Sequence, residues 1–443
     1  MRKSILFVLA WPLWAQDSLS LRDAVQLALR QNKAIAAVAA GLRASASRVE
    51  EARSGRLPKV NYSESFVRSD NPVFVFSSLL TQHQFGPENF NIGPLNRPDS
   101  MNNFQSVLSV DQPLYDAGQT RNALRSADLS RQVTLEDQRQ IRMEVISGVV
   151  KAYYGAVLAA DSLRTAEQAI KSAQADLERA ESVRTAGMST DVDVLSIRVH
   201  LAAVTEQRIQ RSADLEVAKS ALNDALGFPL DERHTLTTPL NALDLPDLEL
   251  ASLEHDASAT RPEVRQSHLA ADLAKAQADS ARSALLPQVG FHAAFEADRQ
   301  QFINKGGANW LASIGLHWNL FNGNGDKARI EESNHWLERA HADEQRIDSA
   351  VRLEVRRAWA GLRAAGQRIE VAKAAVSEAE ESLRITQNRY QAGMSNVTDL
   401  LRNETVVLES RTRYLAAVHD QRIAATMLEL AAGRLSPDSE VLN

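Results

Sequence analysis

Two segments without proline, residues 119–186 and 325–392, have apolar residues in alternating steps of three and four. This spacing is typical of helices that pack side by side in a coiled coil, and alanines in the seam let the helices approach closely. The seam of the second segment consists of Val351, Val355, Ala358, Leu362, Ala365, Ile369, Ala372, Val376, Ala379 and Leu383. At 1.5 Å per residue, each segment predicts one helix of roughly 100 Å.

The chain contains the same organisation twice. The sequences "RTAGMSTDVDVL" (residues 184–195) and "RYQAGMSNVTDLL" (residues 389–401) correspond at an offset of 206 residues. Upstream the offset is 229 residues, so the first half has an insertion between residues 70 and 101. A second helical pattern follows each Ala-Gly-Met-Ser. Each copy therefore predicts the turn of a long helical hairpin, with Gly187 and Gly393 as turn residues at positive φ.

Before each long helix the period changes from seven to two. Segments such as "LLPQVGFHAAFEAD" and "NWLASIGLHWNLFNG" alternate apolar with small or polar residues. The pattern predicts four strands, at about residues 57–68, 103–115, 286–298 and 309–321. Their length and alternation are typical of transmembrane barrel strands, although a small soluble antiparallel sheet is the alternative. Four strands cannot close a barrel, so a membrane barrel requires several copies of the chain.

The N-terminus predicts export. In "MRKSILFVLAWPLWAQDS", two cations precede an apolar run and Ala15, a pattern typical of a signal peptide over residues 1–15. A plain anchor helix is the alternative, but the run is shorter than the ~20 residues that a membrane span needs. The chain has no cysteine, so we expect neither disulfides nor a Cys-linked lipid anchor. A net charge of −6 gives no indication of nucleic-acid binding.

The order of these features resembles the TolC family of outer-membrane efflux proteins, over about residues 19–433. Local marks are "LPKV" and "LPQV" before strands, "PLYDAG" and "NLFNGNG" between strand and helix, and Y-x-A-G-M-S-x-x-x-D-L-L at the tip. The resemblance implies an α+β membrane protein that forms a homotrimer in the outer membrane of a Gram-negative bacterium. Each protomer would give four strands to a twelve-stranded transmembrane β-barrel, which continues into a long periplasmic α-helical coiled-coil barrel.

The expected organisation follows from the duplication and the resemblance. After the signal peptide come a first repeat, a linker that resembles the family's equatorial belt, a second repeat and a tail. Their bounds are residues 16–227 (hairpin 119–227), 228–262, 263–433 (hairpin 325–433) and 434–443. The insertion between residues 70 and 101 would be an extracellular loop that caps the barrel.

The resemblance also implies roles at the hairpin tips. Asp193 and Tyr390 are the candidate bond that holds the pore entrance shut, and Asp399 is the candidate for a ring of acids that favours cations. The family's best-known member has Arg where Ser395 stands and a second Asp where Arg402 stands, so Asp191 is our candidate for the missing charge. The expected contact points for a periplasmic adaptor protein are Gly187, Met188, Ser189, Gly393, Met394 and Ser395.

Structural roles, as helix caps or ordinary loop residues, are the alternative for these positions. Thr190 with Asp193, and Asn396 with Asp399, have the spacing of N-cap and N3 in a capping box. Each acid would then serve the start of its helix, and a short capping acid can still face a pore. The Met and Ser residues of the tips would be ordinary loop residues.

The sequence predicts a conduit and not an enzyme. It lacks His-Glu-x-x-His, a P-loop and a nucleophile elbow, and we expect no cofactor or metal site. We expect a passive exit duct for an inner-membrane pump, joined through the adaptor. The alternative is an exported coiled-coil scaffold without a pore, which would need neither the strands nor the duplication. The pattern does not distinguish drug, metabolite, metal or protein as cargo.

Overall fold

A computed structural model describes most of the chain, namely residues 18–187, 190–244, 249–304 and 306–442. The predicted signal peptide lies outside these ranges.

The chain divides into two compact units. The helical unit comprises the residues up to 40, residues 135–266 and those from 345 onward, and the strand-bearing unit comprises residues 41–134 and 267–344. The strands are β1 (Ser18–Leu19), β2 (Lys59–Ser69), β3 (Met101–Tyr115), β4 (Thr235–Leu236), β5 (Gln288–Arg299) and β6 (Gly307–His317). The helices are α1 (Leu21–Gln31), α2 (Lys33–Ser54), α3 (Pro72–Thr81), α4 (Ile92–Asn96), α5 (Gln119–Thr185), α6 (Asp191–Leu226), α7 (Leu250–Thr260), α8 (Pro262–Ser283), α9 (Gly325–Gln391) and α10 (Val397–Ala431), with 3₁₀ turns at Pro87–Phe90 and Glu440–Leu442.

The predicted heptad seam forms the core of the helical unit. The buried residues of α9 in this unit are Val351, Val355, Leu362, Ala365, Ile369 and Ala379, all members of the predicted seam. Of these, Val351, Val355 and Leu362 pack with α7 and α10 through Leu253, Leu428 and Ala431. A second cluster joins α1, α5 and α6 through Leu21, Val25, Ile146, Tyr153, Leu222 and Leu226. Burying each large side chain stabilises the fold by roughly 1.5–3 kcal/mol, so packing of the seams stabilises the long helices.

Helix α5 is apolar because it crosses this core. Among the described residues, it alone has the length and composition to cross a membrane, and 44% of its apolar window is buried inside the protein. The fully buried side chains in this part include Val149, Val150, Tyr153 and Tyr154. Its apolar character is therefore that of a core helix.

The strand-bearing unit contains an antiparallel sheet in the order β2-β3-β5-β6. The four strands confirm the predicted alternation, with ends that shift by up to four residues. Strand β6 ends at His317, earlier than expected, and the Trp318 indole that follows it donates to the carbonyl oxygen of Leu285 at 3.0 Å. Within the described residues, β2 and β6 each pair on one side only.

The two faces of this sheet differ in polarity. One face has large apolar side chains that are exposed in the single chain, such as Trp310 (80%) and Ile314 (70%). The other face has a polar network, in which Asn103 donates to Asp298 at 2.6 Å and His292 lies 2.7 Å from Asp111. In a soluble protein a sheet packs its apolar face against the core. Here the apolar face is the exposed one in the single chain.

The insertion between β2 and β3 is folded, although the sequence predicts a loop. Asn71 caps α3 by accepting from the backbone N–H groups of Val73 and Phe74. Three aromatic rings then stack edge to face, those of Phe76, Phe85 and Phe90, at centroid distances of 4.9 and 5.1 Å. These helices were not predicted because they are short, and α3 is also held by a distant contact, in which Asn309 Nδ2 donates to the carbonyl oxygen of Thr81 at 3.5 Å.

One hydroxyl group binds the N-terminal strand and the linker between the two hairpins at the same time. Tyr153 Oη donates to the carbonyl oxygen of Leu19 at 2.9 Å and accepts from the N–H groups of Thr237 (3.1 Å) and Thr238 (2.9 Å). These bonds join α5 to the short parallel pair β1-β4. The later part of the linker, predicted to interrupt the helical pattern, contains helix α7 (Leu250–Thr260).

We predict that Tyr153→Phe lowers the stability of the protein by about 1 kcal/mol, because the N–H group of half-buried Thr238 loses its hydrogen-bond partner. The N–H group of Thr237 keeps a bond to the carbonyl oxygen of Leu19 at 3.1 Å. The adjacent Tyr154 is the matched control. Its hydroxyl group is buried and has no hydrogen-bond partner among the described residues, so Tyr154→Phe should be neutral or slightly stabilising. Thermal unfolding midpoints in detergent measure both effects. Equal losses for the two variants would contradict the role of the Tyr153 hydroxyl.

Candidate functional site

The two helical hairpins reverse direction at glycines. Gly187 has φ 77° and Gly393 has φ 70°, which confirms the predicted left-handed turn residues. At the second tip, Gly393 N–H donates to Tyr390 O (3.0 Å) and Met394 N–H donates to Arg389 O (2.8 Å). This pair of bonds is the Schellman motif, which satisfies the last carbonyl groups of a helix. Met188 and Ser189, two of the predicted adaptor contacts, lie outside the described residues.

Polar side chains that follow the turns cap the outgoing helices, and the acid takes part through its carboxylate only at the first tip. At the first tip, Thr190 Oγ1 accepts from Asp193 N–H and Asp193 Oδ2 accepts from Thr190 N–H, each at 3.2 Å, which is a complete capping box. At the second tip, Asn396 Oδ1 accepts from Asp399 N–H at 2.8 Å. The Asp399 carboxylate accepts from the Ser395 hydroxyl at 3.3 Å. The predicted capping is therefore present at both tips, and it is complete at the first.

Tyr390 lies where the two hairpins meet. Its ring packs on an apolar cluster that joins both hairpins, formed by Ala180, Val194, Ile197 and Val397. Burial raises the pKa of Tyr390, and the nearby carboxylates of Asp193 and Asp176 raise it further. The phenol therefore stays protonated and can donate a hydrogen bond. The structure brings together Tyr390 and Asp193, the two members of the predicted bond.

The remaining tip residues differ in exposure. Asp191 is exposed and forms an ion pair with Arg184 at 3.2 Å, so part of its charge is offset. Met394 is 65% exposed, and Asp399 is exposed on the first turn of α10. The exposed methionine leaves an apolar contact point available at the second tip.

The sequence analysis missed a buried cluster close to the tips. It consists of Asp176 on α5, His200 on α6 and Glu404 on α10. His200 Nε2 lies 3.1 Å from Glu404 Oε2, and Arg179 Nη1 lies 3.5 Å from Asp176 Oδ1. Glu404 could have been recognised from the sequence, because an acid occupies a position of the apolar seam between Leu400 and Val407. Within the described ranges, no group of three or more His, Asp and Glu side chains is arranged to hold a metal ion.

Comparisons with known proteins agree on one family. The sequence model for "Outer membrane efflux protein" matches residues 24–228 and 253–434. The chain is 26% identical to protein CyaE of Bordetella pertussis over 95% of this chain and 85% of the relative. It is 23% identical to the alkaline protease secretion protein AprF of Pseudomonas aeruginosa, over 94% and 85%. The CmeC outer membrane channel of Campylobacter jejuni has the same fold, with a TM-score of 0.80 at 16% identity over 100% of this chain and 94% of that one.

We predict that Gly393→Ala destabilises the protein by about 1 kcal/mol, because an L side chain is strained in the left-handed region. A Cβ added at Gly393 would meet no atom within 4 Å, so the effect is that of the backbone alone. Gly361 is the matched control, since it is exposed within α9 and a Cβ there also meets nothing within 4 Å. Gly361→Ala should stabilise by roughly 0.5–1 kcal/mol. If both substitutions raised the thermal unfolding midpoint, the strained turn at Gly393 would be refuted.

Proposed function

The chain belongs to the outer membrane efflux protein family, and we propose that three copies of it form the outer-membrane duct of a tripartite export system. Membership makes the protein an outer-membrane channel and not an enzyme, and it excludes the exported scaffold. In the proposed system an inner-membrane pump supplies energy, a periplasmic adaptor joins it to the tips, and this chain conducts the cargo passively. The identity of the pump would then select the cargo.

The sheet supports assembly into a trimeric barrel. A single chain leaves the backbone groups of β2 and β6 unpaired on their outer sides and exposes a broad apolar face. Joining the β6 edge of one copy to the β2 edge of the next pairs these groups and turns the apolar face toward lipid, where no unpaired edge is tolerated. Three copies of four strands give twelve, enough to enclose an aqueous lumen lined by the polar face.

The sheet topology supports the proposed orientation. Helix α2 leads into β2 and β3 leads into α5, so the insertion that joins β2 to β3 leaves the opposite end of the sheet. We assign this insertion to the extracellular mouth and the long helices to the periplasm. The two ranges that match the family model lie in the two halves of the chain, which supports the repeats at residues 16–227 and 263–433.

The tips are assigned to the entrance. Tyr390 is a protonated donor close to Asp193, and the two side chains belong to different hairpins. A hydrogen bond between them would hold the hairpins together, and its loss would let them separate. Asp399, once in each protomer, would place three carboxylates around the pore and favour cations. We further assign the exposed Met394, with Gly187, Met188, Ser189, Gly393 and Ser395, to the contact with the adaptor.

The proposed duct is tested by extracting the protein from outer membranes and by measuring its conductance in planar bilayers. We expect the mature protein to be extracted from outer membranes only with detergent, to run as a heat-modifiable trimer in gel electrophoresis, and to conduct in planar bilayers. The open sheet predicts this result because its edges and apolar face need partners. Recovery of a water-soluble monomer without detergent would refute the duct.

We predict that Asp399→Asn reduces the cation preference of the channel, because it removes three negative charges from the constriction while keeping the size of the side chain. The reversal potential in a salt gradient should move toward zero. Glu206→Gln removes an exposed carboxylate from α6, away from the tip turn, and should leave the reversal potential unchanged. If Asp399→Asn also left it unchanged, Asp399 would serve only to cap α10.

A further inference from the structure

Three titratable side chains from the two hairpins meet in the buried cluster described above. The side chains of Asp176 and Glu404 are 5% and 6% exposed, and that of His200 is 14% exposed. Asp176 and His200 belong to the first hairpin and Glu404 to the second. Burial of a carboxylate is unfavourable unless it is paired with a charge or fully hydrogen-bonded. The state of this cluster therefore affects how well the two hairpins pack.

The hydrogen bonds of the cluster are incomplete when both acids are ionised. Oε1 of Glu404 and Oδ2 of Asp176 are buried and then have no hydrogen-bond donor among the described residues, and His200 Nε2 lies 3.1 Å from the second oxygen of Glu404. Two facing carboxylates can form a hydrogen bond when one of them holds a proton. A single proton on Asp176 would supply that donor and would remove the repulsion between the two acids.

We propose that the packed hairpins bind one proton between Asp176 and Glu404, and that loss of this proton weakens their packing, so that the channel opens more readily as the pH rises. The proton-binding site itself is independent of the function proposed above. Its effect on conductance rests on that function, because it requires the hairpins to separate at the entrance.

The electrostatics of the cluster determine the direction in which pH changes the packing of the hairpins. Burial, followed by the neighbouring Glu404, raises the pKa of Asp176 to about 7. In separated, hydrated hairpins this pKa returns toward the ordinary value of about 3.9. Between these values the packed state binds more protons than the separated state, so acid favours packing. By linkage, the ratio of separated to packed hairpins rises by up to about tenfold per pH unit between about pH 4 and 7, and levels off above.

The other groups around Asp176 act on the same equilibrium. Arg179, on the same helix, favours the ionised form of Asp176 and opposes proton uptake. His200 lies beside Glu404 and also favours the ionised form of Asp176. From α9, Tyr390 has a pKa that is raised in part by Asp176, so it remains neutral through this pH range. The raised pKa of Asp176 is the net result of these influences.

Infrared spectroscopy of the detergent-solubilised trimer tests the proton directly. The C=O stretch of protonated carboxyl groups, followed from pH 5 to 9, should contain one component per chain that is lost with a midpoint near pH 7. Asp176→Asn should remove this component. Glu178→Gln, which alters an exposed acid two residues away on α5, should leave it in place. If no carboxyl group of the wild-type protein titrates near pH 7, or if Asp176→Asn retains the component, the proposal is wrong.

Conductance in planar bilayers tests the coupling. Open probability of the wild-type channel should rise several-fold between pH 6 and pH 7 and level off above, whereas that of Asp176→Asn should be nearly independent of pH in this range. Glu404→Gln should move the rise in open probability to lower pH, because it removes the neighbouring charge and its amide can donate to ionised Asp176. It serves as the second variant if Asp176→Asn does not assemble, and an unshifted pH dependence in Glu404→Gln would contradict the proposal. A wild-type open probability that does not change with pH overturns the coupling. A wild-type protein that forms no channel refutes the proposed function instead, and the infrared result then decides the proton site alone.

Discussion

The unpaired backbone groups along β2 and β6 are the constraint on which the rest of the protein depends. A four-stranded sheet cannot satisfy its own edges, and here its large apolar side chains are exposed. In water such a sheet would aggregate through its edges and its apolar face. In the outer membrane the same features require neighbouring copies and lipid. Assembly is therefore a condition for the stability of the sheet, and the channel lumen results from it.

The seams of the long helices and the strand alternation were predictable because each repeats with a fixed period. Helices α5 and α9 end within one residue of the proline-free segments, and the buried side chains of α9 in the helical unit all belong to the predicted seam. The strand positions follow from the two-residue period, but their ends do not. The end of β6 at His317 coincides with a contact between Trp318 and Leu285, which no local pattern contains.

What the sequence did not predict depends on contacts between distant segments. Helix α3 of the insertion contacts Asn309 through the carbonyl oxygen of Thr81, 228 residues earlier, and Tyr153 binds linker amides that lie 84 and 85 residues later. At the tips, the turn glycines and the caps were predictable from local spacing. The buried acids were not predicted, because Asp176 and Glu404 lie 228 residues apart and only the packed hairpins bring them together.

The capping role of the tip acids is compatible with the gating role that we propose, because the two roles use different parts of one residue. A cap needs one carboxylate oxygen or the backbone N–H, and the net charge remains available to a pore or to a tyrosine. Asp193 closes a complete capping box and still affects the pKa of Tyr390. Asp399 donates its N–H to Asn396 and binds Ser395 through one oxygen, Oδ2. The capping box fixes the rotamer of Asp193, and the Ser395 hydroxyl restrains that of Asp399, so the local contacts also determine where each charge lies.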